Sequence, residues 1–155
     1  MRIGVGYDVH PSDATRALYL GGVRIDGSPG LRGHSDADAL LHAVIDALLG
    51  AAGLGDIGQH FPPDDPVYKD IDSRELLRKA RELLEEKGYR VGNVDATVIA
   101  ERPRLAPHLA TMRGAIADIL GVDDSRVSIK ATTHEGLGAI GRGEGIAAMA
   151  VALIE

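Results

Sequence analysis

The chain predicts an α+β fold of two layers: a mixed four- to five-stranded sheet with three helices on one face. Three observations lead there. Strand-like segments open and close the sequence, and three stretches of helical periodicity sit between strands in the order β-β-α-α-β-α-β-β. No internal repeat or low-complexity linker interrupts the 155 residues, so a single domain over 1–155 is expected.

Residues 2–9 alternate apolar with small or polar side chains, as a strand does, and run into Asp8-Val9-His10 before Pro11. Period-two geometry sends Asp8 and His10 to one face at the expected strand end. Leu18–Ile25 reads as a second strand with a Gly-Gly turn or bulge inside it. A Gly- and Pro-rich loop follows to residue 33. Ser35 then signals a helix start, with Asp38 three residues on as a weaker capping-box acid. Leu40, Leu41, Val44, Ile45, Leu48 and Leu49 form the apolar stripe of that helix. Asp38, His42 and Asp46 are spaced i, i+4, i+8 and share one side of it. Burying such groups costs free energy unless something pairs them, and a bound cation is one such partner.

Gly53 to Gly58 is a glycine-spaced turn, and Phe61 to Pro66 an irregular loop with the look of a lid. Asp72-Ser73-Arg74-Glu75 forms a capping box for a second helix, to about Lys87, stopped by Gly88. Val94–Ala100 is a strand. Pro107 opens a third helix that buries Leu109, Met112, Ile116 and Ile119 and ends at Gly121. Val127–Ala131 is a strand leading into Thr132-Thr133-His134-Glu135, and Gly141 to Gly145 leads into the last strand, 146–154.

Composition narrows the function. A net charge of −6 without a basic block argues against nucleic acid as partner. There is no cysteine, so a metal site must use His, Asp and Glu. No apolar run is long enough for a membrane and no leader-like segment precedes the first strand, so a soluble, cytoplasmic protein is expected. Polar chemistry gathers at element ends: Asp8/His10, His34/Ser35, Asp56, Arg104 and Thr132–Glu135. Taken singly, each is also explained by a polar turn. Together, Asp8 and His10 with a helical histidine make a three-ligand metal site, and the residues alone point to a divalent-metal enzyme of phosphate chemistry.

The blocks GYDVH (6–10), GGVRI (21–25), HSDADALLHAVIDALLGAAGLGDIG (34–58), DSRELL (72–77), GNVDATVIAERP (92–103), KATTHEGLG (130–138) and GRGEGIA (141–147) closely resemble the 2-C-methyl-D-erythritol 2,4-cyclodiphosphate synthase family. The likeness runs in order from the first strand to the last. It implies a homotrimer with active sites between subunits and a single catalytic domain. The implied reaction closes 4-diphosphocytidyl-2-C-methyl-D-erythritol 2-phosphate to the cyclic diphosphate with loss of CMP. By motif, Asp8, His10 and His42 would hold zinc, and Glu135 a second divalent ion, magnesium or manganese. His34 and Thr133 would serve in catalysis. Ser35 would bind substrate phosphate, with Asp56, Ile57, Gly58, Phe61 and Asp65 around the methylerythritol part. Ala100, Pro103, Arg104, Leu105 and Ala106 would receive the cytidine, and Thr132 the diphosphate. Arg142, with Glu144, would lie near a cavity on the three-fold axis that admits an isoprenoid diphosphate. Asp46 or Asp38 would orient His42. Two rival readings are a metal-dependent phosphohydrolase, for which no general base is evident, and a trimeric regulator that binds phosphorylated ligands without turnover.

Overall fold

The structure, a computed structural model, describes residues 1–155. Its frame is the antiparallel pairing of the two end strands, β1 (Arg2–Asp13) and β7 (Gly145–Ile154), in register from Arg2 opposite Ile154 to Pro11 opposite Gly145. On the far side of β7 lies β5 (Val91–Ile99), antiparallel to it, and β6 (Val127–Thr132) pairs parallel to β5. The two residues of β4 (Gly30–Leu31) complete a five-stranded mixed sheet of order β4-β1-β7-β5-β6. Because β1, β5 and β6 run the same way, their C-terminal ends share one end of the sheet.

Two sequence expectations need correction. Residues 18–25 are a separate hairpin, β2 (Leu18–Leu20) and β3 (Val23–Ile25), not one strand. Gly21 and Gly22 both have positive φ, which suits a two-residue hairpin turn rather than a bulge. The first strand also runs past Pro11 to Asp13, so Asp8 and His10 lie within it, not at its end. Ser12 N donating to Glu144 O and Arg32 N donating to Pro11 O carry the pairing across the proline.

Of the three expected helices, two rest on one face of the sheet and the third packs outside them. Helix α1 (Ala39–Ala52) lies on β1 and β7, α4 (Leu109–Leu120) on β6, and α3 (Ser73–Glu86) packs outside on α1 and α4. This outer helix turns the expected stripe of α1 into near-complete burial: all but Asp46, Gly50 and Ala52 are inside. Short helices α2 (Ile57–His60) and α5 (Gly138–Gly141) sit in the connections. One hydrophobic cluster draws on Leu18 at one end of the chain and Ile154 at the other, joining hairpin, helices and sheet into one core.

The seating of α1 is set by glycines of β1. A Cβ on Gly4 would lie 2.1 Å from Ala47 O, and one on Gly6 2.0 Å from Ala43 O. Only glycine allows helix backbone to rest directly on the strand there. The same face of β1 continues to Asp8 and His10, so the next turn of α1 brings His42 over them.

Helix α1 begins later than Ser35 suggests. Its N-cap is Asp38, which accepts from Leu41 N at 3.0 Å. Ser35 instead caps a turn, accepting from Ala37 N at 3.1 Å, with Ala37 in the left-handed region. Asp38 is fully buried and also accepts from Gly21 N and Gly22 N, at 2.9 and 2.7 Å, which ties the hairpin to the helix. His34 and Ser35 therefore stand beside a turn, not at a helix N-terminus. At α3 the capping box is half formed: Asp72 accepts from Arg74 N at 2.9 Å, while Glu75 pairs with Arg78.

The opposite face of the sheet is bare. Ile3, Val5, Tyr7 and Val9 of β1, with Met149 and Val151 of β7, are between 41 and 72% exposed.

Candidate metal and phosphate site

His42, Asp8 and His10 meet where α1 crosses β1. Asp8 Oδ2 lies 2.9 Å from His10 Nε2 and 3.0 Å from His42 Nδ1, and the two ring nitrogens are 3.1 Å apart. His10 Nδ1 donates to Arg32 O at 2.9 Å, so in the neutral ring Nε2 carries the lone pair. A lone pair, a carboxylate oxygen and a second imidazole nitrogen thus converge, with ligand atoms within 4.8 Å of one another. This is the only cluster of three or more such groups in the chain, and its donor set suits a divalent cation with an open coordination position.

The electrostatics agree. Burial pushes the Asp8 carboxyl up, but hydrogen bonds from His10 and His42, with their charge, hold it well below the usual carboxylate range. For His10, burial lowers the pKa, yet the Asp8 hydrogen bond and charge outweigh it, and the net shift is upward from 6.5. Without a cation the two groups stabilise each other's charged forms.

The triad opens onto a cavity of about 230 Å³, lined also by His34, Ser35, Ile57, Gly58 and Phe61, with Pro63, Tyr68, Ile71 and Leu76 as its further wall. Phe61 meets Tyr68 edge-on, with ring centroids 5.5 Å apart. His34 Nε2 donates to Asp65 O at 3.2 Å, and Asp56 caps α2 beside Ile57 and Gly58. Of the expected substrate residues from Ser35 to Asp65, Ser35, Ile57, Gly58 and Phe61 line this cavity, while Asp56 caps α2 and Asp65 bonds His34 outside the lining. A larger open groove, about 820 Å³, lies at the other end of the sheet between Arg81, Tyr89, Arg126 and Glu155. It holds opposed charges and no convergent ligands, so the chemistry belongs to the smaller cavity.

Neither Asp38 nor Asp46 orients His42, contrary to the helical spacing. Asp46 accepts from Ile57 N at 2.8 Å and so ties α1 to the Ile57–Gly58 turn. Asp38 caps and holds the hairpin, and burial, then the charge of Asp36, pushes its carboxyl up to about 6. The groups at the His42 Nε2 edge are hydroxyls: Ser73 Oγ at 2.9 Å and Ser35 Oγ at 3.2 Å. Ser73 lies 31 residues further along the chain, and no local pattern points to it.

The remaining expected residues form a second group, at the C-terminal ends of β5 and β6. Ala100 N donates to Thr132 O at 3.0 Å, and Ala100 and Leu105 are buried below the segment that carries Pro103, Arg104 and Ala106. Thr133 Oγ1 donates to Glu135 Oε1 at 3.1 Å, with Glu135 in the left-handed region. Glu101 accepts from His134 N at 2.7 Å and fixes this turn. Arg142 Nε donates to Glu144 at 2.6 Å. In register, Val9 faces Ala147, Ala147 faces Ile99, and Ile99 faces Thr132. The two groups are level but three strand spacings apart, about 14 Å. One chain does not bring Glu135 or Thr133 to the triad.

Against this geometry, the YgbB family profile matches residues 1–155. A 2-C-methyl-D-erythritol 2,4-cyclodiphosphate synthase from Thiobacillus denitrificans is 61% identical over 155 residues, covering 100% of this chain and 97% of the relative. Among solved structures, the bifunctional IspDF from Campylobacter jejuni superposes with a TM-score of 0.95 at 43% identity; the match covers 99% of this chain and 42% of that one. IspF of Plasmodium falciparum, in complex with CDP, gives a TM-score of 0.85 at 39% identity over 99% and 94% of the two chains. With the profile spanning every element that builds the triad and the Thr132–Glu135 turn, the chain belongs to the YgbB family.

Proposed function

We propose that residues 1–155 form a single catalytic domain that converts 4-diphosphocytidyl-2-C-methyl-D-erythritol 2-phosphate to 2-C-methyl-D-erythritol 2,4-cyclodiphosphate and CMP. The observation that carries this is the Asp8–His10–His42 convergence opening onto a polar-edged cavity, in a chain 61% identical to a relative of that name.

The nucleophile is an oxygen of the substrate's own 2-phosphate, already ionised near neutral pH. It attacks the outer phosphorus of the diphosphate; the new P–O bond forms as the bond to CMP breaks, and CMP carries away the electron pair. No activating base is needed. The protein's task is placement and charge neutralisation. His34 and Ser35 hold phosphate at the cavity rim, and Asp56, Ile57, Gly58, Phe61 and Asp65 shape the methylerythritol pocket. Ala100, Pro103, Arg104, Leu105 and Ala106 receive the cytidine, and Thr132 and Thr133 hold the diphosphate in line. Zinc on Asp8, His10 and His42, with magnesium or manganese on Glu135, would supply the Lewis-acid charge that polarises and screens the phosphates.

The two groups of residues act together only if they come from different chains. The bare apolar face of β1 and β7 supports a homotrimer in which sheets face one another and the triad of one subunit meets Thr132–Glu135 of the next. In that assembly Arg142 lies toward the axis, where an isoprenoid diphosphate would be accepted. The phosphorylated substrate cannot cross a membrane, so the enzyme works in the cytoplasm beside its source.

The test is incubation of the metal-loaded protein with the cytidyl substrate, followed by phosphorus NMR. Equal amounts of CMP and cyclic diphosphate are expected, and both vanish with chelator or in His42→Ala. CMP with an open-chain bisphosphate would instead identify a hydrolase.

A further inference from the structure

Behind the triad, Ser73 and Asp36 form an arrangement that the reaction as described does not use. Ser73 is completely buried, and its hydroxyl sits between two partners. On one side is His42 Nε2, at 2.9 Å. On the other, Oγ donates to Asp36 Oδ1, while Ser73 N donates to Asp36 Oδ2 at 3.0 Å. Asp36 is itself anchored, its backbone N donating to Ile71 O at 3.1 Å.

A serine hydroxyl has one proton. With that proton given to Asp36, Ser73 Oγ can only accept from His42. The ring proton then sits on Nε2 and the lone pair on Nδ1, the atom facing Asp8 and His10. The alternative tautomer has a clear attraction of its own, because Nδ1–H would donate to the Asp8 carboxylate. That arrangement would place a proton where a cation must bind. The two carboxylates therefore compete for the His42 proton from opposite edges of the ring, and Ser73 passes on the pull of Asp36. Ser35 Oγ also lies 3.2 Å from Nε2 and has a lone pair left to accept from it.

We propose that Asp36 and Ser73 are positioning residues that hold His42 in its metal-ready tautomer and thereby set the metal affinity of the site. The proposal rests on the reading of Asp8, His10 and His42 as metal ligands. Outer partners of ligating histidines commonly govern affinity in this way.

Two readouts on the full chain test it. Zinc affinity is measured by competition with a chromophoric chelator, and the tautomer of His42 by nitrogen-15 NMR of the metal-free protein at alkaline pH. Ser73→Ala is expected to weaken zinc about 10- to 100-fold and to move the His42 proton from Nε2 toward Nδ1. Asp36→Asn keeps the Ser73 hydroxyl and an acceptor oxygen, so a smaller loss in the same direction is expected. It also carries the test should Ser73→Ala fold poorly. Zinc affinity within about twofold of the parent, with Nε2–H retained in both variants, would overturn the relay while leaving the metal site standing. A parent chain that binds no zinc would overturn the metal reading itself, and this proposal with it.

Discussion

The two halves of the site are built differently. The triad half is assembled by one chain from buried elements: glycines on β1 seat α1, α1 carries His42 over Asp8, and Ser73 on α3 backs the ring. The Thr132–Arg142 half is exposed, and its side chains bond mainly to near neighbours, Thr133 to Glu135 and Arg142 to Glu144. The first half is preorganised by folding. The second is a surface waiting to be completed, as expected if it serves a neighbouring subunit.

That contrast can be broken from either side. The largest effect is expected from the sheet face. Val5→Asp with Tyr7→Asp places charges on the bare apolar surface and should give monomers by sedimentation. Turnover should fall to background while zinc affinity stays near that of the parent, because the triad is complete within one chain. Next comes Gly6→Ala. Its Cβ would lie 2.0 Å from Ala43 O, so α1 must lift from β1. A loss of about 1–3 kcal/mol in denaturant unfolding is expected, together with weaker zinc binding as His42 moves off Asp8. Thr133→Ala should do the reverse, lowering turnover about 100- to 1,000-fold with melting temperature and zinc affinity unchanged.

Smaller effects come from pH. For His10 the folded pKa is raised, so the stability it contributes to the metal-free protein is complete below about 6.5 and is lost as pH rises through its folded value. Metal binding runs the other way, since the ring must lose its proton, and zinc affinity should climb over the same range. Asp38 is a buried carboxyl raised from 3.8 to about 6. In that window the folded state binds more protons than the unfolded chain, so its contribution to stability falls as pH rises from about 4 to about 6. Denaturant titrations of metal-free protein across pH would resolve both trends.

The triad was legible in the sequence because two simple periods carry it: alternation sets Asp8 and His10 on one face, and a buried helix holds a histidine with no apolar reason to be there. The helix start was not, since Ser35 and Asp38 are both capping residue types and tertiary contact with Gly21 and Gly22 favours Asp38. The expectation that Asp46 or Asp38 would orient His42, with which both share a helix side, did not hold. Sharing a helix face does not fix what each side chain bonds, and Asp46 turns instead to Ile57. Ser73 stayed hidden because its role depends on α3 packing against α1, a contact no local pattern encodes. The hairpin at 18–25 was half visible: Gly21-Gly22 marked the turn, but not that it leaves the main sheet.

The most direct test of a site shared between chains is complementation. His42→Ala and Thr133→Ala are each prepared separately, then unfolded, mixed and refolded together. If the triad of one subunit works with Thr133 of the next, random mixing restores an intact site at about a quarter of the interfaces. Turnover should then rise well above that of either variant refolded alone. Activity no greater than the mean of the two parents would mean that each site is built within a single chain, and would contradict the account.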